Sequence, residues 1–151
     1  VSAVSLVVVG VDGSDQSRRA LSWALPYASG CAATVQAIMT VNTKDLDEAQ
    51  RARRWAEAES TLQSVVSEQM AALEHPPTVS YDVIEGDPAV VLVDATRGAD
   101  LVVLGSHGMS SIRNPVLGSV SLACIRLGSC PVLVIPAGRP EPVEGEELLP
   151  F

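Results

Sequence analysis

The sequence predicts a single α/β domain, a parallel sheet wound on both sides by helices. Three observations lead there. Short β-branched runs alternate with longer helical stretches along the chain. The runs are apolar almost throughout, as suits strands covered on both faces. A chain of 151 residues, 47% of them hydrophobic, makes one compact domain with a core and hardly two. Repeated strand–helix–strand units close by right-handed crossovers. A five-stranded doubly wound, Rossmann-like parallel sheet in the order 3-2-1-4-5 is the natural closure.

The first strand spans Ser5 to Val11 and ends in the turn residues Asp12 and Gly13. Ser14 stands where a helix N-cap belongs, and Ala20, Leu21, Ala24, Leu25 and Ala28 follow at helical spacing. Gly30 marks the expected stop. Pro26 lacks an N–H donor and crowds the previous turn, so it is expected to kink or shorten the end of this helix. Thr34 to Val41 reads as the second strand. The helical stretch from Asp45 to Leu73 carries Leu62, Val65, Val66, Met70 and Leu73 on one face of its second half. Its more polar first half is compatible with loop or frayed helix, and His75-Pro76-Pro77 ends it.

Thr78 to Ile84 is the third strand, with Val79, Tyr81 and Val83 alternating. Asp87 as cap and Pro88 at the first helical position open a short helix to about Arg97. Asp100 to Gly105 is the fourth strand, Ser119 to Leu127 the final helix, and Pro131 to Pro136 the fifth strand. The domain is expected over 1–137. Over 138–151 the prolines and Glu141, Glu144, Glu146 and Glu147 read as an acidic, solvated tail.

Composition excludes several function classes. With 10 Lys+Arg against 18 Asp+Glu, the formal charge of -8 argues against a general nucleic-acid binder, because phosphate backbones repel a net anion. No apolar run approaches the ~20 residues of a membrane-spanning helix. The first apolar run is too short and β-branched for a secretory leader. Cys31, Cys124 and Cys130 form no Cys-x-x-Cys pair and are expected to be buried, reduced thiols in a cytoplasmic protein.

Ligands of doubly wound sheets bind beyond the carboxyl ends of the strands, where strand order reverses. That rule points to Gly10–Ser14, to the neighbourhood of Val41, and to Gly105 onward. The last is the most informative: Leu104-Gly105-Ser106-His107-Gly108, then residues to Leu117, then Gly118-Ser119-Val120-Ser121. Its glycines let a backbone approach a ligand without a Cβ in the way. Gly118 and Ser119 open a helix whose first N–H groups lack internal partners, which suits a phosphate. The hydroxyls of Ser119 and Ser121 are expected to add donors, so phosphate can be held without lysine.

The spacing Gly105-x2-Gly108-x9-Gly118-Ser119 resembles the ATP-binding signature of the universal stress protein family. Leu6–Ser14, Gly86-Asp87-Pro88 and Cys130–Ile135 resemble that family's first strand, the motif before its third helix, and its closing strand. The resemblance covers roughly Val4 to Pro136. It implies ATP with Mg²⁺ as ligand, with Asp12 near the ribose or a phosphate-bound Mg²⁺. Gly10 and Val11 would then form the backbone wall of the cleft, and Val41 would read the adenine edge by its main chain. Leu104 and Gly105 would lie beneath the ribose, Gly108 would start the phosphate loop, and Gly118, Ser119 and Val120 would make the helix-side contacts. Ser110, Ser111 and Pro115 depart from the glycine-richer loops of many members.

Plainer readings stand beside these. Asp-Gly is a common turn pair, so Asp12 can simply cap a turn. His107 and Arg113 can be ordinary loop side chains. The expected function is an ATP-binding stress-response regulator acting on an unknown protein client, with hydrolysis slow or absent. No general base with a supporting residue and no Walker lysine is evident. The alternatives are an ATP-hydrolysing or nucleotidyl-transfer enzyme on the same sheet, or a ligand-free dimerisation module. Val132 to Ile135 is an uncharged strand expected at a sheet edge, which suggests a homodimer through it.

Overall fold

The computed structural model describes residues 3–107 and 117–137. The elements run β1 (Leu6–Gly10), α1 (Asp15–Cys31), β2 (Thr34–Val41), α2 (Glu48–Ala71) and β3 (Val79–Glu85), then α3 (Pro88–Ala95), β4 (Leu101–Gly105), α4 (Ser119–Leu127) and β5 (Val132–Ile135). All strand pairs are parallel, in the order β3-β2-β1-β4-β5. The expected sheet order is therefore observed, and β5 lies at an edge.

Strand periodicity divides the core in two. On β1, Val7 and Val9 point to one face and Val8 to the other, as a period of two demands. The first face packs against α1 and α2 through Leu21, Leu25, Leu62 and Val66. On the second, Val8, Ile38, Val102 and Leu104 meet Leu92 of α3 and Cys124 of α4. Two-sided burial explains why the strands are apolar at successive positions.

Several boundaries differ from the sequence expectations. Helix α1 runs unbroken through Pro26 to Cys31, and Ala32 ends it in the left-handed region at φ 55°. Pro26 is on the exposed face, so the carbonyl it leaves without a partner can be hydrated. Opposite it, Ala24, Leu25 and Ala28 are fully buried and hold the turn in place. Gly30 is thus inside the helix rather than at its stop. Helix α2 begins sharply rather than fraying. Asp47 and Gln50 form a reciprocal capping box, with Gln50 N–H donating to Asp47 Oδ1 at 2.8 Å and Asp47 N–H to Gln50 Oε1 at 3.1 Å. Tyr81, which alternates with Val79 and Val83 on β3, is 45% exposed at the other sheet edge.

The three thiols are free, but only Cys124 is buried; Cys31 is exposed and Cys130 intermediate. Burial pushes the Cys124 thiol up to about 11, which leaves it protonated and unreactive at neutral pH. Among the described residues no helix is long and apolar enough to cross a membrane. The acidic segment 138–151 lies outside the described residues.

Asp100 ties the entry of β4 to that of β1. Its Oδ2 accepts Ser5 N–H, Ser5 Oγ–H and Leu6 N–H, each at 2.9 Å. These bonds to the Ser5 and Leu6 amides and the Ser5 hydroxyl hold its carboxyl below the usual carboxylate range. A depressed folded-state pKa stabilises the fold above the unfolded-state pKa, and that contribution is lost as pH falls through the folded value. Asp100→Asn is therefore expected to be less stable than wild type at pH 7. Denaturant melts should show the gap closing as pH falls below the ordinary carboxylate pKa of ~4.

Candidate functional site

A cleft of about 280 Å³ opens at the carboxyl ends of β1 and β4, where the strand order reverses. One part of its lining is apolar: Val11, Ile38, Pro88, Leu92 and Leu104. The rest is polar and backbone-rich: Asp12, Ser14, His107, Ser119, Ser121, and the glycines at 10, 105 and 118. Among the described residues the lining holds no lysine or arginine.

The turn after β1 is built locally. Gly13 has φ +83°, a conformation that favours glycine. Asp12 Oδ1 accepts Ser14 N–H at 2.9 Å and also the Ser14 hydroxyl, so the plain turn-capping role is present. Ser14 in turn caps α1 by accepting Ser17 N–H. Arg18 fastens the turn from outside: it donates to the Gly13 carbonyl at 2.7 Å and pairs with Glu68 of α2 at 3.3 Å. The Asp12 carboxylate is thereby set at the mouth of the cleft.

Close approach governs the floor. A Cβ at Gly105 would lie 2.8 Å from Gln16 Cβ and 3.1 Å from its backbone carbon, so α1 can sit against the end of β4 only because residue 105 has no side chain. A Cβ at Gly10 would meet Leu104 at 2.6 Å and Leu92 at 2.9 Å.

The far wall is the start of α4. Its N-cap is Gly118, and no side chain caps it. The amide of Leu122 bonds back to the Gly118 carbonyl, which leaves the amides of 119–121 as the unclosed first turn facing the cleft. Ser121 contributes its amide alone. Its hydroxyl donates to the Gly105 carbonyl at 2.7 Å, which ties α4 to β4. Ser119 is exposed and keeps both amide and hydroxyl for a ligand.

The structure thus brings Gly10, Val11, Asp12, Leu104, Gly105, Gly118, Ser119, Val120 and Ser121 onto one cleft. Val41 stands apart. It is buried, its carbonyl accepts Gly86 N–H at 3.0 Å, and it borders an adjoining hollow with Asp12, Asn42, Arg54 and Thr61. Thr40 borders both spaces. Gly108, Ser110, Ser111, Arg113 and Pro115 lie outside the described residues. The sequence reading missed Ile38, Thr40, Pro88 and Leu92. Strand alternation could have found Ile38, because it shares the sheet face of Val8 and Leu104.

This arrangement suits a flat apolar group at one end and an anion at the other. Helix N-terminal amides bind phosphate oxygens without a cationic side chain. A divalent cation fits the same chemistry in one way only. Among the described residues no group of three His, Cys, Asp or Glu could hold a metal ion, and Asp12 is the carboxylate on this lining, so phosphate oxygens would supply further ligands. That is the ordinary pattern for Mg²⁺ in nucleotide sites.

Comparison with known proteins agrees with this fold. Residues 5–136 match the model of the Universal stress protein family. A universal stress protein of Mycolicibacterium smegmatis is 30% identical over 133 residues, covering 85% of this chain and 45% of that protein. The chain spans about half the length of the curated relatives it matches. Among solved structures, the universal stress protein UspA from Lactobacillus plantarum superposes with a TM-score of 0.74 at 22% identity, covering 89% of this chain and 99% of that one. A universal stress protein solved in complex with cAMP gives a TM-score of 0.70 at 29% identity, covering 89% and 98%.

Proposed function

The chain belongs to the universal stress protein family, and from that premise we propose that it is a nucleotide-binding regulator that takes ATP with Mg²⁺ in the cleft between β1 and β4. The observation that carries this reading is the uncapped first turn of α4, whose amides face an apolar-floored cleft. The relative solved with cAMP supports an adenine nucleotide as the class of ligand. The base would lie against Ile38, Leu92 and Leu104, and the phosphates against the amides of 119–121. Asp12, at the mouth, is the one described carboxylate on the cleft. Hydrolysis is slow or absent, because no described lining residue pairs a carboxylate with a supported general base.

Mg²⁺ matters for a simple reason. The chain carries a formal charge of -8 and the cleft offers Asp12 but no described cation. A bare triphosphate therefore meets repulsion that a bound divalent ion offsets. Calorimetric titration of nucleotide-stripped protein is expected to show saturable ATP binding in the ~micromolar range. Chelating Mg²⁺ should weaken ATP by about tenfold or more and leave adenosine unchanged. Equal affinity for ATP with and without the ion would remove the metal from the reading.

A self-partner belongs to the same proposal. β5 is an edge strand of four uncharged residues, all half-buried, with one side unpaired in the sheet. The opposite edge, β3, carries Asp82 and Glu85 and the exposed Tyr81. Edge strands without charge invite pairing. A two-fold homodimer through β5 is expected, and its regulatory output would pass to a protein client. Sedimentation equilibrium at high micromolar concentration should give the dimer mass; a monomer there would eliminate the β5 interface.

A further inference from the structure

Ser106, 3% exposed, sits at a crossing of four segments. Its amide donates to the Ile135 carbonyl at the end of β5 at 2.8 Å, and its carbonyl accepts the amide of Gly118, the N-cap of α4. Its hydroxyl oxygen lies 2.9 Å from Gln16 Oε1 in α1, 3.0 Å from the Ala137 amide and 3.1 Å from His107 Nδ1.

The protons can be assigned by elimination. The backbone amide of His107 is an obligate donor and points at the Gln16 side chain at 2.8 Å, so the atom there is the amide oxygen. That oxygen carries no proton, so the single proton of Ser106 Oγ goes to it. The Ser106 oxygen is then an acceptor toward the Ala137 amide, with His107 Nδ1 beside it at 3.1 Å. One acceptor atom, Gln16 Oε1, therefore sets the hydroxyl that receives the chain after β5. It also holds the amide at residue 107, where the glycine segment leaves β4.

We propose that Gln16 is a positioning residue for the phosphate end of the cleft. Acting through Ser106, it links occupancy of that end to the chain at the end of β5. The proposal rests on the nucleotide reading above. Removing the acceptor frees the Ser106 hydroxyl to rotate and takes the Gln16 oxygen away from the His107 amide. The Ser106 carbonyl that holds Gly118 is then less firmly placed, and with it the amides of 119–121. The apolar floor of Ile38, Leu92 and Leu104 makes no bond to Gln16, so the base end is untouched. Loss of affinity should follow the phosphates.

The test uses Gln16→Met, similar in length but without a strong acceptor, together with Ser106→Ala and the double variant. Titration calorimetry with ATP and with adenosine is read beside amide hydrogen exchange at Ala137. Gln16→Met is expected to weaken ATP about tenfold and adenosine hardly at all. It should also speed exchange at Ala137 without any ligand. The double variant should lose less ATP affinity than the sum of the two single losses, because the bond between Ser106 and Gln16 is common to both. Gln16→Glu, which keeps an acceptor in place, should restore wild-type exchange at Ala137. Equal losses for ATP and adenosine, additive single effects, or unchanged Ala137 exchange in a chain that binds ATP would overturn this proposal alone. A wild-type chain that binds no nucleotide would overturn the proposed function and the binding half of this inference together.

Discussion

Gly105→Val is expected to weaken nucleotide binding by pushing α1 off the end of β4 rather than by touching the ligand. A Cβ at this position would come within 2.8 Å of Gln16 Cβ and 3.2 Å of the Gln16 carbonyl oxygen. Valine adds two methyl groups beyond that. Neither partner can yield cheaply, because residue 105 is paired to Ile135 within the sheet and Gln16 lies in the first turns of α1. Overpacking of this kind costs about 1–3 kcal/mol and sometimes more. For a domain of this size, a thermal midpoint falling by roughly 4–12 °C would follow. Gly105→Ala should move in the same direction by less. Thermal melts run beside ATP titrations check this; a variant with wild-type melting but no binding would show that residue 105 acts at the ligand and not through α1.

Ser119→Pro is the complementary experiment, aimed at the ligand and not the fold. Proline is tolerated at the first position of a helix, where the missing N–H has no intrahelical acceptor. The preceding Gly118 already has φ -75° and ψ 167°, the extended conformation that a following proline requires. The substitution thus removes one amide and one hydroxyl from the first turn of α4 while keeping the helix. A hydrogen bond to a charged group contributes about 1.5–3 kcal/mol, so loss of the amide alone should lower ATP affinity by roughly 10- to 100-fold, and loss of the hydroxyl adds to that. The melting temperature should change little, and adenosine should bind as before. Unaltered ATP affinity would mean that the phosphates do not lie on α4.

The fold was legible because its signals are local and repeated. Val7, Val8 and Val9 in succession announce a strand buried on both faces, and Asp87-Pro88 announces a helix start. What misled were signals that tertiary packing overrides. Pro26 and Gly30 both argue for an early end to α1, yet the fully buried Leu25 and Ala28 carry the helix past them. The polar start of α2 hid a capping box, because Asp47 and Gln50 announce themselves only by spacing.

At the site, the glycines and the first turn of α4 were readable as a spaced pattern. The apolar floor was not. Leu92 comes from α3, an element with no glycine to mark it, and only the sheet order brings it opposite Gly10. Nor could spacing tell that the Ser121 hydroxyl is spent on the Gly105 carbonyl, or that Gln16 meets Ser106 across 90 residues of chain.

The most direct measurement is calorimetric titration of the nucleotide-stripped protein with ATP and Mg²⁺, wild type against Ser119→Pro. Saturable binding by the first and a loss of at least about tenfold in the second, with equal melting temperatures, is the expected result. No heat from the wild type, or the same affinity in both, would contradict a phosphate seat at the start of α4.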